Sequence, residues 1–203
     1  ALRDKQGEFF VFFGNQVGVL LLNYVLHRLK VEGKLKGDEF AVKSFVSTGL
    51  AKAVARSYGV ELKEVPVGFK FIGEKIKQAE ESGKGTFVFG FEESCGYLRG
   101  THARDKDAVV ASMLICEMAA FYKKQGKTLL QVMDDLYKEY GYYLLTQQSY
   151  TFEGKTGMEK MQQLMEDIRN NPPAEVGGMK VVVFKDYLTS VEKDITSGQT
   201  KEI

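Results

Sequence analysis

The chain is 203 residues long, 44% hydrophobic and 27% charged, enough apolar material to bury a core for one large domain, or for one domain and part of a second. Its 28 basic and 27 acidic residues leave a formal net charge of +1, without the basic footprint of a nucleic-acid binder. No stretch approaches the roughly 18 continuous apolar residues of a membrane span, so neither nucleic acid nor membrane is an expected partner.

Taken in chain order, ALRDKQGEFF opens without an initiator Met or a signal-peptide layout. GEFFVFF (7–13) reads as a short strand stopping at Gly14, and NQVGVLLLNYVLHRLKVEG after it as a buried helix, a first β-α unit. EFAVKSFV (39–46) alternates like a strand. STGLAKAVARSYG opens on capping residues and ends on Gly59 like a helix, and VELKEVPVG (60–68) returns as a strand. FKFIGEKIKQAEESG (69–83) is an amphipathic helix, and GTFVFGF (85–91) a buried strand. The order predicts an α/β domain with a mainly parallel sheet flanked by helices.

Two further helices follow. DAVVASMLICEMAAFYKKQG is almost wholly apolar up to Tyr122 and is expected to pack deep against the sheet. KTLLQVMDDLYKEYG carries Leu129, Val132, Met133 and Leu136 as a buried stripe. Beyond Tyr143 the texture changes. QQSYTF, TGMEKMQQLMEDIRNN and MKVVVFKDY suggest strand, helix and strand, broken by Pro172–Pro173 and Gly177–Gly178, before the polar tail SVEKDITSGQTKEI. One helix and two strands enclose little core, so a boundary is placed near 146: a first domain over 1–146 and an incomplete α+β segment over 147–203. Both ends predict a piece of a longer protein.

Function is sought in FGFEESCGYLRGTHARDKD, where a strand ends on Glu92, Glu93 and Ser94. Ligands of open α/β sheets gather outside the carboxyl ends of parallel strands. A carboxylate can accept from two neighbouring hydroxyls and a serine can donate and accept, so Glu-x-Ser suits a polyol or sugar ring. The plain alternative is that these carboxylates cap a turn or sit in water. His102, Arg104 and Lys106 crowd a helix start, where the macrodipole disfavours cations; a bound phosphate, also held by the helix amides, would offset that. Equally, Asp105 and Asp107 would offset it, one of them as N-cap. Lys70 poses the same question at another helix start.

Other residues carry less. Cys95 reads as a small loop residue, since no base is spaced to activate it, and His27 as a core-edge histidine. Adjacent Asp134 and Asp135 diverge around their helix rather than sharing a metal. FFGNQVG lacks the spacing of a phosphate-cradling or dinucleotide loop, which disfavours a nucleotide-binding domain. The two cysteines, Cys95 and Cys116, lack any disulfide or zinc spacing and point to a reducing cytoplasm.

Three segments, GNQVGVLLLNYVL, VPVGFKFIGEKI and FGFEESCGYLRGTHARDKDAVVASMLICEMAAFYKKQGKTL, together resemble the third domain of the α-D-phosphohexomutases, of the bacterial phosphoglucomutase/phosphomannomutase type, over about residues 8 to 145. The resemblance implies a four-domain enzyme that moves phosphate between C1 and C6 of a hexose through a hexose 1,6-bisphosphate. It implies that Glu92 and Ser94 are the sugar-binding Glu-x-Ser, with Phe91 in place of the usual preceding Gly, and that Glu93 points elsewhere and matters little. His102, Arg104 and Lys106 match His-x-Arg-x-Lys-Asp, Lys106 being the position associated with phosphate contact and proton transfer. Gly68, Phe69 and Lys70 match a loop that orients the sugar. The family's Ser-His-Asn nucleophile, its Asp-x-Asp-x-Asp-Arg magnesium loop and its Arg-x-Ser-Gly-Thr phosphate clamp do not occur here. Mg2+ and those groups are therefore expected in missing domains of the same polypeptide, and the 203-residue chain alone is expected to be inactive. A noncatalytic sugar-phosphate-binding or interaction module of the same fold remains the alternative.

Overall fold

The structure is a computed structural model that describes residues 2–4, 6–146 and 149–202. The chain forms two compact units, Ala1–Leu145 and Thr146–Ile203. The first opens with a small antiparallel hairpin, β1 (Leu2–Arg3) and β2 (Phe9–Phe10), and then contains α1 (Gly14–Val31), β3 (Glu39–Ser44), α2 (Leu50–Ser57), β4 (Glu61–Val65), α3 (Phe69–Ser82), β5 (Thr86–Glu92), β6 (Gly96–Leu98), α4 (Ala108–Lys124) and α5 (Leu129–Tyr140). The central sheet runs β4-β3-β5-β6. β3 pairs parallel with both β4 and β5, and β6 returns antiparallel to β5. This is the mainly parallel, helix-flanked sheet that the β-α order predicts.

Two cores lie on its two faces. α1, α2, α4 and α5 cover one, packing Leu20, Leu22, Leu50, Val54, Val132 and Leu136 with Ala41, Phe89 and Phe91 of the sheet. α3 covers the other with Phe69, Ile72 and Ile76 against Phe40, Val42, Phe87 and Leu98. α1 is buried at every position from Gly18 to Leu26, as expected of a helix apolar all round. α5 buries the stripe read from sequence, capped by Thr128, whose Oγ1 accepts from Gln131 N at 3.2 Å.

Strict alternation would place Phe87, Phe89 and Phe91 on one face. It does not, because the β3–β5 register shifts: Phe40 pairs with Phe87 but Ala41 with Phe89, leaving Val88 as an extra residue. This bulge sends Phe87 to the α3 face and Phe89 and Phe91 to the α1 face. Arg99 Nη1 donates to the Val88 carbonyl at 3.0 Å. Beyond the bulge the alternation resumes, with Gly90 directed at Ile72 of α3 and Phe91 packed so closely under α1 that a Cβ on Gly18 would overlap its ring.

Several expectations are corrected. GEFFVFF contributes only Phe9–Phe10, paired with Leu2–Arg3 rather than with the central sheet, because Phe13 already caps α1, its N–H held by Gln16 Oε1 at 3.0 Å. β6 occupies a stretch that reads as loop from sequence. α4 does not pack deep: only Ala111, Met118 and Tyr122 are buried, while Val109 and Met113 stand 70% and 69% exposed, since one face alone meets β6, α1 and α5. α2 starts at Leu50, with a 3.3 Å bond from Leu50 N to Thr48 Oγ1, and Ser47 serves another purpose.

The second unit has α6 (Gly154–Asn170), a hairpin of β7 (Glu175–Val176) and β8 (Met179–Lys180) turning on Gly177–Gly178 at positive φ, and an antiparallel sheet of β9 (Val183–Asp186), β10 (Val191–Asp194) and β11 (Thr200–Glu202) in the order β11-β10-β9. Gln147 and Gln148 of the expected QQSYTF strand lie outside the described residues, and 149–153 form no strand. MKVVVFKDY divides between β8 and β9, and the polar tail supplies β10 and β11, which charge pairs support: Lys185 and Lys201 flank Glu192 at 3.1 and 2.9 Å. α6 leaves Met158, Met161, Leu164 and Met165 exposed, as a sparse core implies.

Arg99→Ala should cost about 1–3 kcal/mol, the penalty of leaving a buried carbonyl unsatisfied, measured by urea unfolding of the 203-residue chain with an unchanged m-value. A loss below about 0.5 kcal/mol would mean that the guanidinium does not secure the bulge.

Candidate functional site

The bulge determines where the two neighbouring carboxylates go. Glu92, two residues after Gly90, lies on the α3 side, 5% exposed, and its Oε1 accepts from Gly68 N at 2.7 Å. Gly68 has φ 122°, a conformation that favours glycine, and precedes Phe69, the first residue of α3. On the same side a Cβ on Gly96 would crowd the Lys106 stem, with Lys106 Cδ at 2.7 Å and Phe69 Cδ2 at 3.4 Å. Lys106 Nζ sits 5.4 Å from the centre of the Phe69 ring. Four of the residues singled out from sequence, Gly68, Phe69, Glu92 and Lys106, thus converge at the carboxyl end of β5.

Ser94 is exposed on the turn between β5 and β6. Cys95 follows at φ 62°, in the left-handed region, as the small turn residue that the sequence suggests. Lys70 is exposed in the first turn of α3, its Nζ 4.9 Å from the Phe71 ring.

The basic cluster is internally balanced. His102 Nε2 lies 2.8 Å from Asp107 Oδ2, Lys106 Nζ lies 3.0 Å from Asp105 Oδ1, and Arg104 pairs with Glu80 of α3 and donates to Thr101 O at 2.7 Å. Asp107 is the N-cap of α4, its Oδ1 accepting from Val109 N and Val110 N at 2.9 and 3.0 Å. Those two amides are therefore occupied. Asp107 thus takes the N-cap place that the sequence offers to one of the two aspartates. The His102 bond, followed by the Val110 amide, holds the Asp107 carboxyl below the usual aspartate range; the bond from Lys106 does the same for Asp105.

Glu93 is the residue whose role the sequence does not disclose. It does not turn to solvent: its Oε2 accepts from Ser44 Oγ at 2.8 Å and Ser47 Oγ at 3.2 Å, and those two hydroxyls lie 2.7 Å apart. The one available signal is the Ser-x-x-Ser spacing where β3 ends, which reads as helix capping. A further anchor comes from α1, where a Cβ on Gly14 would overlap the Glu93 carbonyl oxygen, and Tyr97 Oη donates to Gly14 O at 2.9 Å. Burial, with the neighbouring Cys95, pushes the Tyr97 hydroxyl well above its ordinary value, so it stays a neutral donor.

His27 is partly buried beside Phe121, and both cysteines are free and exposed. Among the described residues no group of three or more His, Cys, Asp or Glu side chains converges, so these side chains do not fit the Mg2+ that the resemblance implies. None of the described helices is long and apolar enough to cross a membrane.

Helices on both faces of a mainly parallel sheet make this a three-layer α/β/α domain, with a braced polar turn at the carboxyl end of β5. Residues 13–140 match the family model for phosphoglucomutase/phosphomannomutase, alpha/beta/alpha domain III, and the chain belongs to that family. It is 41% identical over 201 residues to phosphoglucomutases of Staphylococcus aureus strains MRSA252 and MSSA476, covering 97% of this chain and 35% of each relative. The chain thus spans about a third of the length of these curated relatives. Among solved structures, a Thermus thermophilus protein described as a phosphomannomutase aligns at 28% identity and a TM-score of 0.50, over 64% of this chain and 26% of that one. The open form of the Paramecium phosphoprotein pp63/parafusin shares the fold at a TM-score of 0.57 and 20% identity, over 97% of this chain and 32% of that one.

The pairing with His102 predicts an Asp107 titration midpoint below the ordinary aspartate value of 3.8, moving up in His102→Ala, as read by carboxyl-detected NMR. With the folded value depressed, the linked stability is fully present above the unfolded value and lost as pH falls through the folded one. An unshifted midpoint in both proteins would show that the pair does not persist in solution.

Proposed function

We propose that this chain supplies the sugar-gripping third domain of a cytoplasmic phosphoglucomutase or phosphomannomutase, an intramolecular phosphotransferase interconverting hexose 1-phosphate and hexose 6-phosphate. The observation that carries this reading is the convergence of Glu92, Gly68, Phe69 and Lys106 at one strand end, in a chain belonging to the family. In the reaction a phosphoryl group passes from a serine elsewhere in the parent to the free hydroxyl of the substrate, forming hexose 1,6-bisphosphate. The serine then takes back the phosphoryl group at the other position.

Glu92 and Ser94 would accept from and donate to ring hydroxyls, with the Glu92 oxygen not engaged by Gly68 available for that purpose. Lys106 would neutralise charge near the reacting hydroxyl and manage its proton. His102 and Arg104 would meet phosphate by exchanging their exposed carboxylate partners for it, a substitution that costs little because exposed ion pairs contribute little. Gly68, Phe69 and Lys70 would orient the sugar. Magnesium, which supplies charge neutralisation at the transferring phosphoryl, would be held by residues of the parent outside this chain. Phosphoryl transfer depends chiefly on positioning and electrostatics, so this chain alone lacks what turnover requires.

The test is an assay on glucose 1-phosphate and mannose 1-phosphate, with magnesium, of the full-length parent and of the 203-residue chain. Turnover is expected only for the parent. There Glu92→Ala and Lys106→Ala should each lower kcat/KM tenfold or more, the Glu92 loss corresponding to about 1.5–3 kcal/mol for a charged hydrogen-bond partner. Turnover by the 203-residue chain, or indifference of the parent to both substitutions, would refute the reading.

A further inference from the structure

The geometry points to Glu93 as a positioning residue: it anchors the turn after β5 onto the end of β3 and thereby sets the direction of Glu92. This deepens the proposed function and rests on it only for the catalytic consequence. As the middle residue of Glu-x-Ser, Glu93 is expected to matter little, yet it makes the side-chain bonds that tie this turn to the neighbouring strand end.

The anchorage is built from below. Lys43 in β3 is 1% exposed, and a cation so deeply buried must be fully partnered. Its Nζ donates to Ser44 O at 3.2 Å and to Ser47 O at 3.1 Å and pairs with Glu64 Oε1 of β4 at 2.8 Å. Ser47 N closes the turn onto Ser44 O at 3.0 Å, and Thr48 N donates to Asn15 Oδ1 of α1 at 2.9 Å. The two serine hydroxyls are therefore presented by a turn whose carbonyls and amides are already committed. Both point at one carboxylate oxygen, Glu93 Oε2.

From β4 through Lys43 and the serines to Glu93, one polar chain crosses the carboxyl ends of three adjacent strands. Immediately before the same turn, Glu92 reaches Gly68 N. Glu92 closes β5 and Glu93 is the first residue of the turn, so tying the Glu93 side chain to the end of β3 fixes the backbone from which the Glu92 side chain departs toward Gly68. Without Glu93 the turn keeps its hairpin pairing, Glu92 with Gly96, but loses its tie to β3. A supporting residue of this kind acts through the geometry of the group that it orients.

Amide hydrogen exchange of the 203-residue chain tests the device without reference to catalysis, because the Gly68 amide reports whether Glu92 is in place. Glu93→Ala should speed exchange at Gly68 and Ser47 at least tenfold while Val132 and Leu136 in α5 stay unchanged. Glu93→Gln, whose amide oxygen still accepts from both hydroxyls, should restore protection. Ser44→Ala/Ser47→Ala should reproduce Glu93→Ala, and the triple variant should add nothing to it. Glu92→Ala is the positive control for Gly68. If Glu93→Ala leaves Gly68 protected while Glu92→Ala exposes it, the inference is overturned; it is overturned equally if Glu93→Gln and Glu93→Ala loosen every amide alike, which is global destabilisation. In the full-length parent, Glu93→Ala should lower kcat/KM about tenfold, with recovery in Glu93→Gln and no further loss when added to Glu92→Ala. Absence of mutase turnover in the unmutated parent would sink the proposed function and leave the exchange result to decide the role of Glu93.

Discussion

One extra residue in β5 governs the arrangement at the strand ends. Without the Val88 bulge, Phe87, Phe89 and Phe91 would share a face and Glu92 would point toward α1, because a shift of one residue reverses every side chain beyond it. With the bulge, three consecutive decisions follow. Phe91 enters the core beneath Gly18, Glu92 goes to the α3 side and Gly68, and Glu93 goes to the serines at the end of β3. Arg99, reaching back from just beyond β6 to the Val88 carbonyl, makes the irregularity part of the hydrogen-bonded fabric. The bulge thereby sorts two chemically identical neighbours into different tasks.

Rigidity at the turn comes from close approach rather than from sheer burial. Gly14 and Gly96 admit, respectively, the Glu93 carbonyl and the Lys106 stem at distances that a methyl group would forbid. Tyr97 ties the start of β6 to the first residue of α1. Elements far apart in sequence, the first turn of α1, the end of β3, the start of α3 and the segment before α4, therefore bear on three residues of one hairpin turn. Loops carry binding chemistry most effectively when a scaffold of this kind holds them.

The sequence made the parallel sheet legible because β3, α2, β4, α3 and β5 each carry both a period and a punctuation, such as the alternation of EFAVKS or the Gly59 and Gly83 that close helices. It hid what depends on pairing partners. Phe9–Phe10 and Gly96–Leu98 are short β-favouring pieces whose sheet membership is decided by neighbours, not by composition. β10 and β11 hid in a polar tail because their Lys–Glu–Lys ladder needs no apolar face. α4 misled in the opposite sense: apolarity announces that a surface prefers to leave water, and cannot say that every face of the helix finds a partner. Residue types and spacing singled out Glu92, Lys106, Gly68 and Phe69, which the fold brings together at the end of β5. Glu93 stayed hidden since a carboxylate's partners, two serines 46 and 49 residues away, leave no local mark.

The charge arrangement in the segment before α4 completes the picture. His102, Arg104 and Lys106 each face a carboxylate, and two of those carboxylates, Asp105 and Asp107, alternate with them in sequence. With a formal net charge of only +1, the chain as a whole adds little long-range field. Cations paired with neighbouring anions do not concentrate anions from a distance, and the proposed function then relies on contacts made within hydrogen-bond range. Such contacts discriminate only as well as their donors and acceptors are held. In the proposed function, the bracing of the β5–β6 turn by α1, β3 and α3 therefore bears more on recognition than the number of basic residues around it.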